Sequence, residues 1–458
     1  MDLNNIHSVY FLGIGGIGMS ALARYFKAKG KHVSGYDKTP TSLTNELIAE
    51  GIDVHFEDNI DIINPKILNS KSELLVVYTP AVPKEHKEYC YFIENGFTIK
   101  KRSEVLGLIT KQHFTVAVAG THGKTTTSSI VAHILKHSGI DCTAFLGGIT
   151  QNYHTNLLLS DKSNIIVVEA DEYDRSFLTL YPDIAIITSV DPDHLDIYGD
   201  KKHLEESFNL FAKQVKPNGK LIAKKGLALE DEITKKSLSY SVVSTADFHA
   251  SNIRVEEGSF IFDLESKIEN IEAITFNVPG RHNVENAVAA AAAAQLIGVE
   301  GNEIKNALNS FKGVKRRFEY QVNSKDLIYI DDYAHHPEEL KACINAVREL
   351  YPGKKITGVF QPHLYSRTRD FADGFAGSLD LLDECILLDI YPARELPIEG
   401  VSSQMLLKKM HIQNKILLQK NELVKDIKNR ELEVLLTLGA GDIDQLVEPI
   451  KKALKNNL

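Results

Sequence analysis

FLGIGGIGMSA, residues 11–21, decides the fold class at the start of this chain. The stretch fits G-x-G-x-x-G through Gly13, Gly15 and Gly18, and it joins an apolar run to a helix-like run. Asp37 follows about 20 residues later, near the end of a second strand-like segment. The combination is typical of a Rossmann-like domain that holds a diphosphate at a helix N-terminus. One hypothesis is therefore an NAD-dependent oxidoreductase, and the other is a loop that holds a different diphosphate.

The composition limits the classes of protein to consider. The chain has 458 residues, of which 43% are hydrophobic and 25% charged, as in ordinary globular proteins. At about 150 residues per domain, the length predicts about three domains. The formal net charge of −9 does not favour a nucleic-acid-binding face. An anionic substrate would need local clusters of Arg, Lys, His or backbone amides.

The cysteines and the N-terminus indicate the compartment. The four cysteines lie far apart and form no C-x-x-C pair, so we expect neither a disulfide framework nor a zinc site. The first residues contain no basic segment followed by a signal-like apolar core. The longest apolar run, residues 287–294, is too short to span a bilayer. We expect a cytoplasmic protein with no membrane insertion.

A second glycine-containing loop, AGTHGKTTT at residues 119–127, also joins a buried strand to a helix. Backbone amides in such a loop form an anion site together with the helix N-terminus. Lys124 is expected to reach the β- and γ-phosphates of a nucleotide, and Thr125 to place its hydroxyl on Mg²⁺. The loop is shorter than the usual form, because Val118 stands six positions before Lys124 and the glycine comes at Gly120.

Strand-like and helix-like runs alternate along the whole chain, which predicts three α/β domains in series. We expect a Rossmann-like domain at 1–106, a P-loop ATPase-like domain at 107–316 and a Rossmann-like domain at 317–458. The expected strands are residues 8–12, 32–36, 74–78, 98–100, 114–119, 165–169, 184–190, 327–330, 356–360, 385–388 and 433–438, with short strands within 240–278. The expected helices are residues 19–29, 43–50, 124–138, 284–296, 337–350 and 371–382.

Polar residues follow two strands next to the phosphate loop. Glu169 ends one buried strand and His194 follows another, and ligands of open α/β sheets collect at such strand ends. Glu169 is therefore a candidate Mg²⁺ ligand, whereas His194 is an unusual partner for an ion that prefers oxygen. We interpret Asp171, Glu172 and Asp174 as a solvated acidic loop.

Further candidates lie in the second half of the chain. Asn283 and Asn286 are three residues apart and share a helix face, so they either cap the helix or read an adenine edge. Arg281 beside them is a candidate phosphate contact. The pairs His335–His336 and Arg367–Arg369 each follow a predicted strand, which favours a site at that sheet edge.

Together these residues resemble the Mur ligase family, the ATP-dependent amino-acid ligases that build the peptidoglycan stem. The matching motifs follow one another in the expected order over nearly the whole chain. They are residues 120–126, Glu169, His194, His282-Asn283-x-x-Asn286, residues 316–318, residues 332–337 and residues 361–363. Within the family, residues 13–19, 389–395 and 439–443 point to the ligase that takes L-alanine.

The resemblance implies a role for each domain: the first holds a UDP-sugar, the second binds MgATP and the third brings the amino acid. It implies UDP-sugar contacts by Gly15, Gly16, Ile17, Gly18, Met19 and Asp37. It implies ATP contacts by Gly120, Thr121, His122, Gly123, Lys124, Thr125, Thr126, Asn283, Asn286, Arg317, Asp332 and Tyr333. It places Mg²⁺ near Thr125, Glu169 and His194. The implied catalytic residues are Lys124, His194, His335, His336 and Arg367.

The implied reaction joins L-alanine to the lactyl carboxylate of UDP-N-acetylmuramate through an acyl phosphate, with ATP as co-substrate and Mg²⁺ as cofactor. The alternative acceptor reaction attaches a recycled tripeptide to the same nucleotide sugar. We expect a monomer or homodimer. Two positions depart from many relatives: Ser189 stands where Asn is common, and Leu364 where Arg is common. The amino-acid clamp is therefore expected to rest on Arg367 with another partner.

Overall fold

The computed structural model describes residues 2–192, 198–393 and 395–455. Its first sheet contains five parallel strands, in the spatial order β3-β2-β1-β4-β5. This doubly wound order leaves a crevice beside β1, at the point where the order reverses. The strands are β1 (Ser8–Leu12), β2 (His32–Tyr36), β3 (Asp53–His55), β4 (Leu74–Tyr78) and β5 (Thr98–Lys101).

The helices around this sheet have local start signals. Helix α1 (Ile17–Ala28) begins immediately after the glycine loop, with Gly16 at its N-cap. Helix α2 (Ser42–Ala49) begins with a capping box in which Thr41 and Thr44 satisfy each other's backbone amides. The remaining helices of this region are α3 (Pro65–Asn69), α4 (Lys87–Glu94) and α5 (Arg102–Thr110).

The second sheet surrounds the strand that leads into the phosphate loop. Strand β6 (Phe114–Ala119) lies between two parallel neighbours in the order β12-β11-β10-β6-β9-β7-β8. The other strands are β7 (Thr143–Phe145), β8 (Leu157–Leu158), β9 (Ile165–Glu169), β10 (Ile184–Ile187), β11 (Lys220–Lys224) and β12 (Leu238–Ser241). The helices are α6 (Lys124–His137), α7 (Lys201–Lys213) and α8 (Asp231–Lys236).

The region predicted to contain short strands has three: β13 (Phe248–Glu256), β14 (Ser259–Ser266) and β15 (Ile271–Phe276). Two helices follow, α9 (Arg281–Ile297) and α10 (Gly301–Ser310). The Ala-rich helix α9 therefore begins three residues before the predicted start.

The third sheet has the order β16-β17-β21-β18-β19-β20, and only β16 runs antiparallel to its neighbour among these described strands. Its strands are β16 (Glu319–Asn323), β17 (Ile328–Asp332), β18 (Ile356–Phe360), β19 (Glu384–Leu387), β20 (Lys415–Leu417) and β21 (Val434–Leu438). Its helices are α11 (Pro337–Leu350), α12 (Tyr365–Asp370), α13 (Ala372–Leu379), α14 (Ser403–Lys409), α15 (Lys420–Lys428) and α16 (Asp444–Lys455).

The chain forms two compact units. The first comprises Met1–His249, Leu264–Ile271 and Asn286–Ala307, and the second comprises Ala250–Asp263, Glu272–Glu285 and Leu308–Leu458. Across the described ranges, no helix combines the length and apolar character needed to cross a membrane.

Within the first unit, the first two sheets share one hydrophobic cluster. The Tyr25 and Phe145 rings pack with their centroids 5.3 Å apart. Arg24 donates to the side-chain oxygen of buried Asn156 at 2.6 Å, and the Asn156 amide donates to the Ile17 carbonyl oxygen. The start of α1, and with it the glycine loop, is thus tied to the phosphate-loop sheet.

Candidate active site

The glycine loop after β1 is held by its neighbours through hydrogen bonds. The amides of Gly13 and Ile14 donate to the Tyr36 carbonyl oxygen at 2.8 and 2.9 Å. The Gly15 amide donates to Asp37 Oδ2 at 2.7 Å, and a Cβ on Gly15 would lie 2.8 Å from that oxygen. Gly15 therefore has no side chain because the carboxylate takes that space, and Asp37 fixes the shape of the loop.

A cavity of about 660 Å³ opens beside this loop. All six residues predicted to contact a UDP-sugar line it: Gly15, Gly16, Ile17, Gly18, Met19 and Asp37. Glu169, at the end of β9, lines the same cavity. The structure thus brings the glycine loop and the predicted metal ligand of the second sheet to one space.

The phosphate loop depends on glycine at two positions. Gly120 has φ +138°, and a side chain there would collide with Thr188. Gly123 has φ +81°, which favours glycine, and forms the N-cap of α6. The Ser189 hydroxyl accepts from the His122 amide at 2.8 Å and bonds the Thr121 hydroxyl at 2.8 Å. Ser189 thus supports the loop directly.

Lys124 is held by a carboxylate that the sequence interpretation assigned wrongly. Its ammonium lies 2.7 Å from Glu172 Oε2 and donates to the Gly120 carbonyl oxygen at 2.6 Å. The Glu172 side chain is fully buried, so its assignment to a solvated loop was wrong. Asp171 and Asp174 do remain about a third exposed, and each forms an ion pair, with Arg102 and Lys101 respectively.

The electrostatics of this buried pair follow from its surroundings. Burial raises the pKa of Glu172 to about 7, although Lys124 opposes the shift. For Lys124, burial alone would lower the pKa, but the carboxylates of Glu172, Asp171 and Glu169 outweigh burial and raise it. Lys124 is therefore positively charged at neutral pH, and its charge lies within the phosphate loop.

The oxygens around the loop suit Mg²⁺. The β6–β9 register pairs Val118 with Glu169, so this carboxylate ends the strand beside the one that enters the loop. The Gly147 amide donates to Glu169 Oε2 at 3.1 Å, and Thr125 is a buried residue in the first turn of α6. One carboxylate, one hydroxyl and nucleotide phosphates are a donor set that Mg²⁺ uses. His194 lies outside the described residues.

Among the described residues, no group of three or more His, Cys, Asp or Glu side chains could hold a metal by itself. A metal at Glu169 would therefore need further oxygen ligands, such as the Thr125 hydroxyl, nucleotide phosphates and water. This is the usual arrangement for Mg²⁺ in nucleotide-dependent enzymes.

The two predicted asparagines make different contacts. Asn286, in the first unit, accepts from the Thr127 hydroxyl at 3.2 Å, and a Cβ on Gly123 would lie 2.6 Å from its Oδ1. Asn286 thus lies against the phosphate loop. Asn283, in the second unit, donates to the Pro279 carbonyl oxygen at 2.6 Å. The candidate phosphate contact Arg281 bonds Glu349 at 3.0 Å in that unit.

The residues just before β16 lie against the end of β17 in the second unit. The buried Asp332 carboxylate accepts from the amides of Phe318 and Ala334, both at 2.7 Å. Burial raises the pKa of Asp332 to about 6, against the effect of Arg317. The Arg316 and Arg317 guanidinium carbons lie 5.2 and 5.0 Å from the centroid of the Tyr333 ring. The predicted residues Arg317, Asp332 and Tyr333 are therefore neighbours.

The two adjacent histidines differ in their surroundings. His335 Nδ1 lies 2.9 Å from the Tyr333 carbonyl oxygen, which can only accept a hydrogen bond, and 3.2 Å from Glu339 Oε2, which also accepts from the His335 backbone amide. These contacts favour a proton on Nδ1 and direct the lone pair of the neutral ring to Nε2. His336 is buried as the N-cap of α11, with its ring edge on Phe371. Arg367 lies buried within α12.

Two residues of the first unit were missed because their partners are distant in sequence. Arg102 lines the cavity and starts α5 directly after β5, and the carboxyl end of a parallel strand is a signal that would have found it. Glu172 has no such local signal, since only its contact with Lys124 distinguishes it from its acidic neighbours.

Glycine loops at two helix N-termini, with a lysine in the second, define a nucleotide-binding α/β protein. Comparisons with known proteins identify its family. The profile "Mur ligase family, catalytic domain" matches residues 8–114, "Mur ligase middle domain" matches 118–294, and "Mur ligase, glutamate ligase domain" matches 316–443. The chain belongs to the Mur ligase family.

The similarity extends over the whole length of individual relatives. The chain is 56% identical over 454 residues to a UDP-N-acetylmuramate–L-alanine ligase of Flavobacterium psychrophilum, covering 99% of each chain. It is 54% identical over 458 residues to the protein of that name from Flavobacterium johnsoniae, covering 100% of each.

The solved structures share the architecture. A UDP-N-acetylmuramate-alanine ligase from Thermotoga maritima has a TM-score of 0.84 and 28% identity, over 98% of this chain and 100% of that chain. A murein peptide ligase from Psychrobacter arcticus, 23% identical, shares the fold with a TM-score of 0.73, over 98% of this chain and 99% of that chain. The predicted three-domain α/β class is confirmed. Membership of this family accounts for both glycine-containing loops, whereas an NAD-dependent oxidoreductase would leave the phosphate loop at residues 119–127 unexplained.

Proposed function

We propose that this chain is an ATP-dependent ligase that joins L-alanine to the lactyl carboxylate of UDP-N-acetylmuramate in peptidoglycan precursor synthesis. The observation that carries the proposal is identity above 50% to ligases of that name over nearly the whole chain. Two features of the first unit support the proposal: the cavity beside the glycine loop and the glycine-containing loop that begins α6.

We assign the UDP-sugar to the cavity beside the glycine loop. Amides at the start of α1 and the positive end of the helix dipole favour a diphosphate at Gly15–Met19. The cavity volume of about 660 Å³ suits a nucleotide sugar, since small-molecule pockets of about 300–1,000 Å³ are typical. Asp37, beside Gly15, is the proposed contact for the nucleoside.

We assign ATP to the phosphate loop, with Lys124 at its β- and γ-phosphates. Thr125 and Glu169 are the proposed protein ligands of Mg²⁺, which when bound would neutralise phosphate charge. The further proposed ATP contacts are Gly120, Thr121, His122, Gly123, Thr126, Asn283, Asn286, Arg317, Asp332 and Tyr333. For the last five, the support is the family motif. It is joined by the contact of Asn286 with the phosphate loop and by the clustering of Arg317, Asp332 and Tyr333.

In the first chemical step, the lactyl carboxylate attacks the γ-phosphorus of ATP and the bond to the β-phosphate oxygen breaks, giving an acyl phosphate and ADP. Two anions approach each other, so the protein must position them and offset their charge. Lys124 and the loop amides supply that charge. Glycine at 120 and 123 lets the backbone lie close enough to the phosphates to do so.

In the second step, the amine of L-alanine attacks the acyl carbon and phosphate leaves. The amine must first lose a proton, because an ammonium with a pKa near 10 is almost wholly protonated at neutral pH. We propose His335 as the base: its Nδ1 contacts favour a lone pair on Nε2, whereas His336 is buried as a helix cap. Arg367 is the proposed partner for the amino-acid carboxylate.

The proton path has its own test. A His335→Gln variant is expected to lose the acidic limb of the kcat/KM profile for L-alanine, and His336→Gln to keep that limb. An unchanged profile in the double variant would exclude both histidines as the base.

One experiment tests the function. Phosphate release with UDP-N-acetylmuramate, ATP and Mg²⁺ should depend on L-alanine and should be slower with glycine or L-serine. A preference for tripeptide over L-alanine would favour the recycling alternative. Phosphate release that ignores every amino acid would overturn the ligase proposal.

A further inference from the structure

Arg102 is a cation that lines the proposed acceptor cavity, and it is not among the UDP-sugar contacts implied by the family motifs. It is the first residue of α5 and lines the cavity together with the glycine loop. A Cβ on Gly18 would lie 2.5 Å from Arg102 Nη1 and 3.2 Å from its Cζ. The guanidinium therefore lies directly on the first turn of α1, and Gly18 leaves the space that it fills.

The charges around the cavity show why a bound anion would need a cation at this position. Four carboxylates line the described walls: Asp37, Asp58, Glu169 and Asp171. The lysine and arginine side chains there are Lys38, which is exposed, and Arg102, whose side chain is 25% exposed. A ligand with a pyrophosphate and a carboxylate carries three negative charges into these walls. Such a ligand needs a fixed cation close to its phosphates.

The surroundings of Arg102 hold it in place. Its Nη2 donates to Asp171 Oδ2 at 3.3 Å, a long contact that leaves donors of the guanidinium for another anion. Helix α5 is fixed below it, because the Thr179 hydroxyl donates to the Ser103 carbonyl oxygen at 2.9 Å. A Cβ on Gly107 of the same helix would lie 2.7 Å from the Thr179 carbonyl oxygen. The guanidinium is thus presented from a rigid element.

We propose that Arg102 binds the pyrophosphate of the UDP-sugar, and that Asp171 orients it for this contact. The inference rests on the proposed function, since it deepens the assignment of the acceptor. The pyrophosphate is favoured over the lactyl carboxylate because the guanidinium lies against Gly18, in the helix turn whose amides attract a diphosphate. A planar guanidinium also bonds phosphate oxygens through two parallel donors.

Binding measurements with two nucleotide sugars test the inference. UDP-N-acetylmuramate carries the lactyl carboxylate, and UDP-N-acetylglucosamine has the same diphosphate without it. By isothermal titration calorimetry, Arg102→Met should weaken both ligands about 10- to 100-fold, as expected for lost charge-assisted bonds. Arg102→Lys should lose less, because it keeps the charge but not the two parallel donors.

Steady-state kinetics give a second readout. In Arg102→Met, the KM for UDP-N-acetylmuramate should rise by a similar factor, while the KM values for ATP and L-alanine stay within about 2-fold, because the contact is remote from the reacting carboxylate. Lys101→Met is the matched control: it removes the neighbouring cation, which pairs with Asp174 at 2.7 Å and does not line the cavity. This control should bind both sugars as the wild type does.

The outcomes separate the inference from the function on which it rests. If both Arg102 variants bind both sugars as tightly as wild type, the inference is wrong and the ligase proposal stands. Loss of UDP-N-acetylmuramate binding alone would assign Arg102 to the carboxylate and overturn the pyrophosphate contact. A folded wild type that binds neither sugar would overturn the proposed function itself. If Arg102→Met does not fold, the binding of both sugars to Arg102→Lys decides whether Arg102 contacts the pyrophosphate.

Discussion

The two glycine-containing loops of the first unit apply one principle with different partners. Each follows a strand of a parallel sheet and opens a helix, and each has a donor held by a carboxylate of the protein. In the first loop the Gly15 amide bonds Asp37, and in the second the Lys124 ammonium bonds Glu172. The carboxylates differ in burial: Asp37 is half-buried beside an open cavity, and Glu172 is completely enclosed.

This difference changes what an incoming anion must do. Near Asp37, water can solvate the carboxylate when a diphosphate takes over the amides, so the exchange costs little. Near Glu172, a phosphate that draws Lys124 away leaves a buried carboxylate without its partner charge, which is strongly unfavourable. We therefore propose that the first loop is a preformed anion site. In the second loop, the ion pair of Lys124 with Glu172 would persist until a nucleotide replaces it.

Replacement of Lys124 should have the largest effect. Lys124→Ala is expected to lower kcat at least about 10³-fold, because the charge on the transferring phosphoryl group is no longer offset. The affinity for UDP-N-acetylmuramate should stay within about 2-fold, since the two loops bind separate anions. Lys136→Ala is the control on the same helix, where the lysine pairs with Asp141. If Lys124→Ala lost turnover, UDP-N-acetylmuramate binding and the circular dichroism signal together, the variant would be misfolded.

Glu169 should have the next largest effect, through the metal. Glu169→Gln is expected to raise the Mg²⁺ concentration for half-maximal rate about 10-fold, because a carboxylate ligand becomes a neutral amide. The measurement is a Mg²⁺ titration at saturating ATP and acceptor. Asp174→Asn, in the acidic loop that follows, should leave the titration unchanged. Superimposable curves for Glu169→Gln and wild type would show that Glu169 is not a ligand.

Glu172 should make nucleotide binding depend on pH. Because burial raises its pKa to about 7, the carboxyl is protonated below that pH and releases Lys124, and ionised above it. Nucleotide affinity of the wild type should therefore fall as pH rises from 6 to 8, relative to Glu172→Gln. We expect the ratio of the two ADP dissociation constants to grow from about 1 to about 10. A ratio independent of pH would contradict the competition between Glu172 and phosphate.

The sheets were predictable because buried parallel strands appear as near-continuous apolar runs. Strands β3, β7, β8 and β20 were missed, since two or three residues are too few to show a pattern. The five-residue strands β11 and β16 were missed as well, because KLIAK and EYQVN contain short apolar runs or none. Strand β10 ends at Ile187, whereas residues 184–190 were predicted. The reason is tertiary: the Thr188 hydroxyl and Ser189 bond the phosphate loop instead of continuing the strand.

The site was predictable to the extent that its signals are local. Spacing alone locates both glycine loops and the strand-end residue Glu169. Glu172 depends on its contact with Lys124, 48 positions away, which no local pattern encodes. Arg102 was overlooked although it directly follows a parallel strand, which is a local signal. The acidic run at 169–174 illustrates the limit, because its four carboxylates are alike in sequence and differ in surroundings. Glu169 and Asp171 line the cavity, Glu172 is the buried partner of Lys124, and Asp174 pairs with Lys101.

Asp37 should have the smallest effect, and it tests the comparison most directly. When a diphosphate takes the Gly15 amide, both oxygens of the Asp37 carboxylate are left to accept from a nucleoside hydroxyl, whereas Asn has one neutral acceptor oxygen. Asp37→Asn should therefore raise the KM for UDP-N-acetylmuramate by about 3-fold, the cost of one weakened hydrogen bond, and leave the ADP dissociation constant unchanged. Glu172→Gln should change the ADP dissociation constant and leave the KM for UDP-N-acetylmuramate unchanged. If Asp37→Asn instead raised the KM more than about 30-fold, the first loop would depend on its carboxylate as strongly as the second, and exposure would not explain their difference.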